Sequence, residues 1–124
     1  MYTLTMMKGK RADKVGDQIR VEISDILLKD LKDPRIGFVT ITKVTLSDDL
    51  SQAKVYYSVF GGEQAKEDSY QGLESATGYI KRELGRRMRL KYMPEITFHF
   101  DDSLEYGAHI EELLQRVKGP AEEQ

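Results

Sequence analysis

The sequence has no cysteine, no tryptophan and only three prolines, and no apolar run approaches the roughly 20 residues of a membrane-spanning helix. Without cysteine there is no disulfide framework and no thiolate metal site, which suits a reducing compartment. The opening MYTLTMMKGK carries no charge before its apolar residues, and that stretch is too short for a secretory leader. A cytoplasmic location and no membrane partner are therefore expected. His99 and His109 show no zinc-pair spacing, and Asp48-Asp49 and Asp101-Asp102 fall where acids cap turns more readily than they hold magnesium. There is no phosphate loop, nucleophile elbow, or Ser/His or Cys/His constellation. No catalytic residue, metal ligand or cofactor is expected.

What is present is a soluble composition, 40% hydrophobic and 32% charged, in a length of 124 residues that suits one domain. The net charge of −2 hides an asymmetry. Residues 1–94 carry 17 basic and 13 acidic side chains, whereas residues 95–124 carry 2 and 8. The total does not announce a polyanion partner, but the distribution allows a local basic surface.

That surface falls in the stretch SATGYIKRELGRRMRLKYMPEITFHFD, Ser75 to Asp101. Ile80, Leu84 and Met88 recur every four residues and stack on one helical face, with Leu73 and Thr77 extending it backwards. Arg82, Arg86 and Arg89 fall together on the opposite face. Lys81 and Arg87 flank them, Lys91 follows in the exit turn, and Glu83 is the only acid between Lys81 and Lys91. Such a face is consistent with solvated charge and macrodipole compensation, and equally with contact to RNA phosphates.

Residues 1–10 read as a flexible basic arm, residues 11–118 as the folded domain and 119–124 as a disordered tail. A first helix is expected from about Arg11 to Leu31, where Ala12, Val15, Ile19, Ile23 and Ile26 share an arc before Asp33-Pro34 ends it. FVTITKVTLS and SQAKVYYSVF form an antiparallel hairpin, with a bulge near Lys43 because the apolar phase slips between Ile41 and Val44. In the second strand Ala53, Val55, Tyr57 and Val59 face the core. Tyr56 and Phe60 lie on the other face, where packing beneath a helix is expected rather than base stacking. A polar helix follows from near Glu63, with Ala65, Tyr70, Leu73 and Ala76 available for the core, and Gly78 marks a junction with the basic helix. EITFHFD alternates as a strand, and Ile110, Leu113, Leu114 and Val117 describe a closing amphipathic helix. Helices on one face of a small sheet make an α+β fold.

This order resembles the type II KH fold. The residues resemble the ribosome-binding factor A family over about residues 8–117. The likeness rests on Lys32-Asp33-Pro34-Arg35-Ile36-Gly37, then on Asp48-Asp49-Leu50-Ser51-Gln52-Ala53-Lys54-Val55-Tyr56. Ala76-Thr77-Gly78, as the family's Ala-x-Gly kink, and LGRRMRLKYMPEITFHFDDS, Leu84 to Ser103, complete it. The resemblance implies a non-enzymatic assembly factor whose partner is 16S rRNA within the free small (30S) ribosomal subunit. It also implies support of late maturation, processing of the 5′ end of the 16S rRNA precursor, and growth in the cold. KH domains clamp RNA through a Gly-x-x-Gly loop. Here the junction Ser75-Ala76-Thr77-Gly78 has a single glycine, which argues against that clamp.

The expected RNA-binding set is therefore Lys81, Arg82, Arg86, Arg87, Arg89 and Lys91, with Lys8, Lys10 and Arg11 as a second basic group, beside which Lys14 also stands. Ala76, Thr77 and Gly78 are the expected hinge. DNA is not an expected partner, and a monomer is expected. A protein-interaction module using the acidic C-terminal helix is the alternative reading. An RNA-processing enzyme is a more distant one, since no acid/base pair stands out.

Overall fold

The computed structural model describes residues 2–37, 39–103 and 111–115, with side chains from Arg11 onward. Helix α1 (Tyr2–Lys29) leads through a 3-10 turn (Pro34–Ile36) into strands β1 (Val39–Leu46) and β2 (Gln52–Val59). Helix α2 (Glu63–Met88) and strand β3 (Glu95–Phe100) follow. The sheet order is β1-β2-β3. β1 and β2 pair antiparallel through the short hairpin, whereas β2 and β3 pair parallel because α2 carries the chain back across the sheet. This is the expected α+β arrangement.

The period-two segments fold as their patterning requires. Ala53, Val55 and Tyr57 of β2 and Ile96 and Phe98 of β3 are buried beneath the helices. Each fully buried apolar side chain contributes about 1.5–3 kcal/mol. The β1–β2 register shifts between Ile41 and Lys43, so the bulge lies where the apolar phase slips. Thr42, in that shift, donates its hydroxyl to Asp101 Oδ2 at 2.7 Å and ties β1 to the end of β3.

The helices depart from expectation in three ways. α1 begins at Tyr2 rather than Arg11, so residues 2–10 belong to a helix and not to an arm. They contain no proline and one glycine, and nothing in their backbone chemistry halts the helix. At its other end α1 stops at Lys29, where the amides of Asp30 and Leu31 both donate to the Ile26 carbonyl (2.9 and 3.2 Å).

Second, α2 is one uninterrupted helix, not two segments meeting at Gly78. Leu73 before that glycine and Ile80 and Leu84 after it are all fully buried, so one apolar stripe runs through the position. Burying that stripe outweighs the ~1 kcal/mol cost of a mid-helix glycine. Thr77 donates to the Leu73 carbonyl at 2.9 Å, a back-bond that bends helices without ending them. Against the 3-10 turn α2 buries Ser69 and Gly72, and Tyr70 turns outward.

Third, residues 111–115 are helical, but Leu113 and Leu114 are 40% and 52% exposed. The core beneath the sheet is already closed by α1 and α2. Ile110, Val117 and the 119–124 tail lie outside the described residues.

Candidate nucleic-acid interface

The basic segment is presented by the second half of α2. Its inward side is fixed by Ile80 and Leu84, so the outward positions cannot rotate into the core. Arg82 and Arg89 are exposed, and among the described residues no ion pair or hydrogen bond occupies either guanidinium. Arg89 also ends the helix in the left-handed conformation, φ 53° and ψ 40°.

The other cations of the segment are partly engaged. Arg86 is exposed and pairs with Glu83, one turn back. Lys81 lies 3.3 Å from Glu95 on β3. Arg87 is turned inward, its side chain only 19% exposed. It reaches Asp25 at 2.9 Å and Asp30 at 3.1 Å on the α1 side, and Glu83 at 3.4 Å and Glu22 at 3.8 Å. Arg87 thus joins α2 to α1 and does not share the outward face expected for it. Hydrogen bonds from Lys29 and Arg87 hold the Asp25 carboxyl below its ordinary range, and those from Arg86 and Arg87 do the same for Glu83. No local pattern signals this cluster: Asp25 and Asp30 are ordinary polar positions near the end of α1, and only the fold brings them to Arg87.

Arg11 is exposed, and the fold brings it to Lys91. Both line a groove of about 220 Å³, with Val15, Leu50, Leu90 and Pro94 as apolar lining. Tyr92 stands at this groove 79% exposed, with Lys91 Nζ 5.6 Å from its ring centroid. The side chains of Lys8 and Lys10 lie outside the described residues. Ala76 and Thr77 are half-buried, and Gly78 is exposed with no heavy atom within 4 Å of where a Cβ would sit.

Tyr56 is not beneath a helix. It belongs to the opposite face of the sheet, in register with Lys43 on β1 and His99 on β3. Lys43 Nζ lies 4.7 Å from its ring centroid and the His99 ring 5.5 Å away.

Chemically, this arrangement is suited to holding a polyanion by charge and shape. Among the described residues every shifted carboxyl is fixed by a turn or an ion pair. Asp101 is the largest case, lowered to about 2 by hydrogen bonds from Ser103 and Thr42. No group of three or more His, Cys, Asp or Glu among the described residues could hold a metal ion, and no helix among them is long and apolar enough to cross a membrane.

Fold and site together define a small α+β domain with an outward cationic helix face on α2. Residues 11–114 match the family described as ribosome-binding factor A, and the chain belongs to that family. It is 52% identical over 112 residues to ribosome-binding factor A of Halothermothrix orenii, covering 90% of this chain and 92% of that one. The crystal structure of ribosome-binding factor A from Thermus thermophilus is similar, with a TM-score of 0.65 and 27% identity over 72% of this chain and 93% of that one. So is a homology model of the Thermus thermophilus factor fitted into the cryo-EM map of a complex of the 30S subunit with ribosome-binding factor A. There the TM-score is 0.60 and the identity 28%, over 70% of this chain and 91% of that one.

Proposed function

We propose that this chain is a ribosome assembly factor that docks on the free small ribosomal subunit, with the outward face of α2 against 16S rRNA backbone. Arg82 and Arg89 are the leading contacts, Arg86 and Lys91 extend them, and Arg11 joins from α1. By holding that RNA in shape the factor supports late maturation of the subunit, including 5′-end processing of the 16S precursor. It acts as a cytoplasmic monomer and carries out no chemistry of its own. Arg87 serves this surface indirectly, by fixing the angle of α2 on α1.

The observation that carries the reading is that Arg82 and Arg89 are exposed and, among the described residues, engaged by no ion pair or hydrogen bond. Membership of the family supports it, as does the fit of the Thermus thermophilus homology model into the map of a complex of the 30S subunit with ribosome-binding factor A. The test is the salt dependence of binding to purified free small subunits. Each phosphate contact adds roughly 0.7–0.9 to the slope of log K against log salt. Replacing Arg82, Arg86 and Arg89 by glutamine should lower that slope by about 2–3; a slope equal to wild type would remove this face from the interface.

A second reading rests on the exposed Leu113 and Leu114, which with Glu111 and Glu112 give residues 111–115 the character of a protein contact. Binding that is insensitive to salt but lost on deleting residues 104–124 would favour it.

A further inference from the structure

The groove between Arg11 and Lys91 has features that a backbone-reading surface does not need. Its lining is apolar, from Val15, Leu50, Leu90 and Pro94, and it opens beside an aromatic ring that is 79% exposed. A volume of about 220 Å³ is below the ~300–1,000 Å³ of sites for drug-sized ligands and suits a single flat ring system. Leu50 and Arg89 are the only non-glycine residues with positive φ among the described residues (61° and 53°). Leu50 lines the groove, and Arg89 directly precedes Leu90, which also lines it. These two left-handed positions lie in the β1–β2 turn and at the end of α2, so both walls of the groove are formed where the chain changes direction.

The polar groups define the ligand's chemistry. Arg11 and Lys91 are exposed cations from opposite ends of the sequence. Asp49 is the one acid of the lining among the described residues, and its carboxylate is already engaged. Its Oδ1 accepts from Ser47 Oγ (2.8 Å), Ser51 Oγ (2.7 Å) and the Ser51 amide (3.1 Å), which closes the β1–β2 hairpin. An apolar slot with an exposed aromatic ring and two exposed cations matches a base flanked by phosphates, the combination by which single strands are held.

We propose that this groove receives one unstacked base of single-stranded RNA, stacked on Tyr92, with Arg11 and Lys91 on the neighbouring phosphates. This deepens the docking on rRNA proposed above and rests on it. It adds a second mode of recognition: α2 meets backbone charge, whereas the groove selects an unpaired nucleotide.

The chain contains no tryptophan, so Tyr92→Trp installs a single reporter in the full-length protein. The probes are a short mixed-sequence RNA strand, the same strand annealed to its complement, and purified free small subunits. The single strand should quench the Trp fluorescence, and the duplex should not. Tyr92→Ala, a change at an exposed position, should weaken single-strand binding roughly 5- to 100-fold, the loss expected for one stacked base, without altering the salt slope. Arg11→Gln should instead lower that slope by about 0.7.

No quenching, equal quenching by duplex, or single-strand affinity unchanged in Tyr92→Ala would each overturn the proposal. So would a Tyr92→Ala protein that loses subunit binding but keeps single-strand binding, since the groove would then hold a protein segment. The docking reading fails separately, if wild type does not bind free small subunits; the single-strand assay reads the groove in either case.

Discussion

Gly72 and Gly78 share α2 but answer to different demands. A Cβ at Gly72 would lie 2.7 Å from Ile36 Cγ1 and 3.2 Å from Arg35 Cβ, so the glycine lets the helix close on the 3-10 turn. A Cβ at Gly78 would meet nothing within 4 Å. Gly72→Ala should therefore destabilise the fold by about 1–3 kcal/mol through overpacking. Gly78→Ala should stabilise it by up to about 1 kcal/mol, because alanine is the better helix former and the site is open. Urea denaturation of the two variants measures both. Since packing does not require a glycine at 78, its bare backbone is available to a partner. Gly78→Ala should bind free small subunits more weakly while unfolding later. Undiminished binding would exclude Gly78 from the interface.

At the scale of elements, the basic helix divides its arginines between two tasks. Arg87 clamps α2 to α1, whereas Arg82 points away from the fold. Arg87→Gln should lower the urea midpoint and Arg82→Gln should leave it in place. The pH dependence follows from the carboxyls that Arg87 holds. Asp25 and Glu83 titrate in the folded protein below their ordinary values of 3.8 and 4.5. Their contribution is fully present above those values and is lost as pH falls through the lowered ones. The gap in stability between wild type and Arg87→Gln should be widest near neutral pH and shrink below about pH 4. The strands, the bulge at Thr42 and the buried stripe of α2 were legible in the sequence because side-chain periodicity is a local signal. The roles of Arg82 and Arg87 were not, because the same residue type on the same helix was separated only by carboxylates of a distant element. The position of Tyr56 was hidden for a related reason: alternation shows that a strand has two faces but not which one the helices cover. The single-glycine junction read as a break, and the continuous burial of Leu73, Ile80 and Leu84 overrides it.

For the molecule as a whole, topology converts a chain of modest net charge into one with a directed surface. The parallel return to β3 sets the end of α2 beside the start of the domain. Arg11 and Lys91, far apart in sequence, come to line one groove continuous in sequence with the Arg89 end of the helix. The groove itself could not be read from the sequence, although both of its cations stood out there. The net acidity of residues 95–124 leaves the positive surface local, so binding should depend on where the arginines stand and not on total charge. The most direct measurement is gradient co-sedimentation with separated ribosomal subunits, comparing wild type with a folded Arg82→Glu/Arg89→Glu variant. Wild type should migrate with the free small-subunit fraction while the variant stays at the top of the gradient. Equal migration of both proteins with the small subunit would exclude the Arg82/Arg89 face as the docking surface.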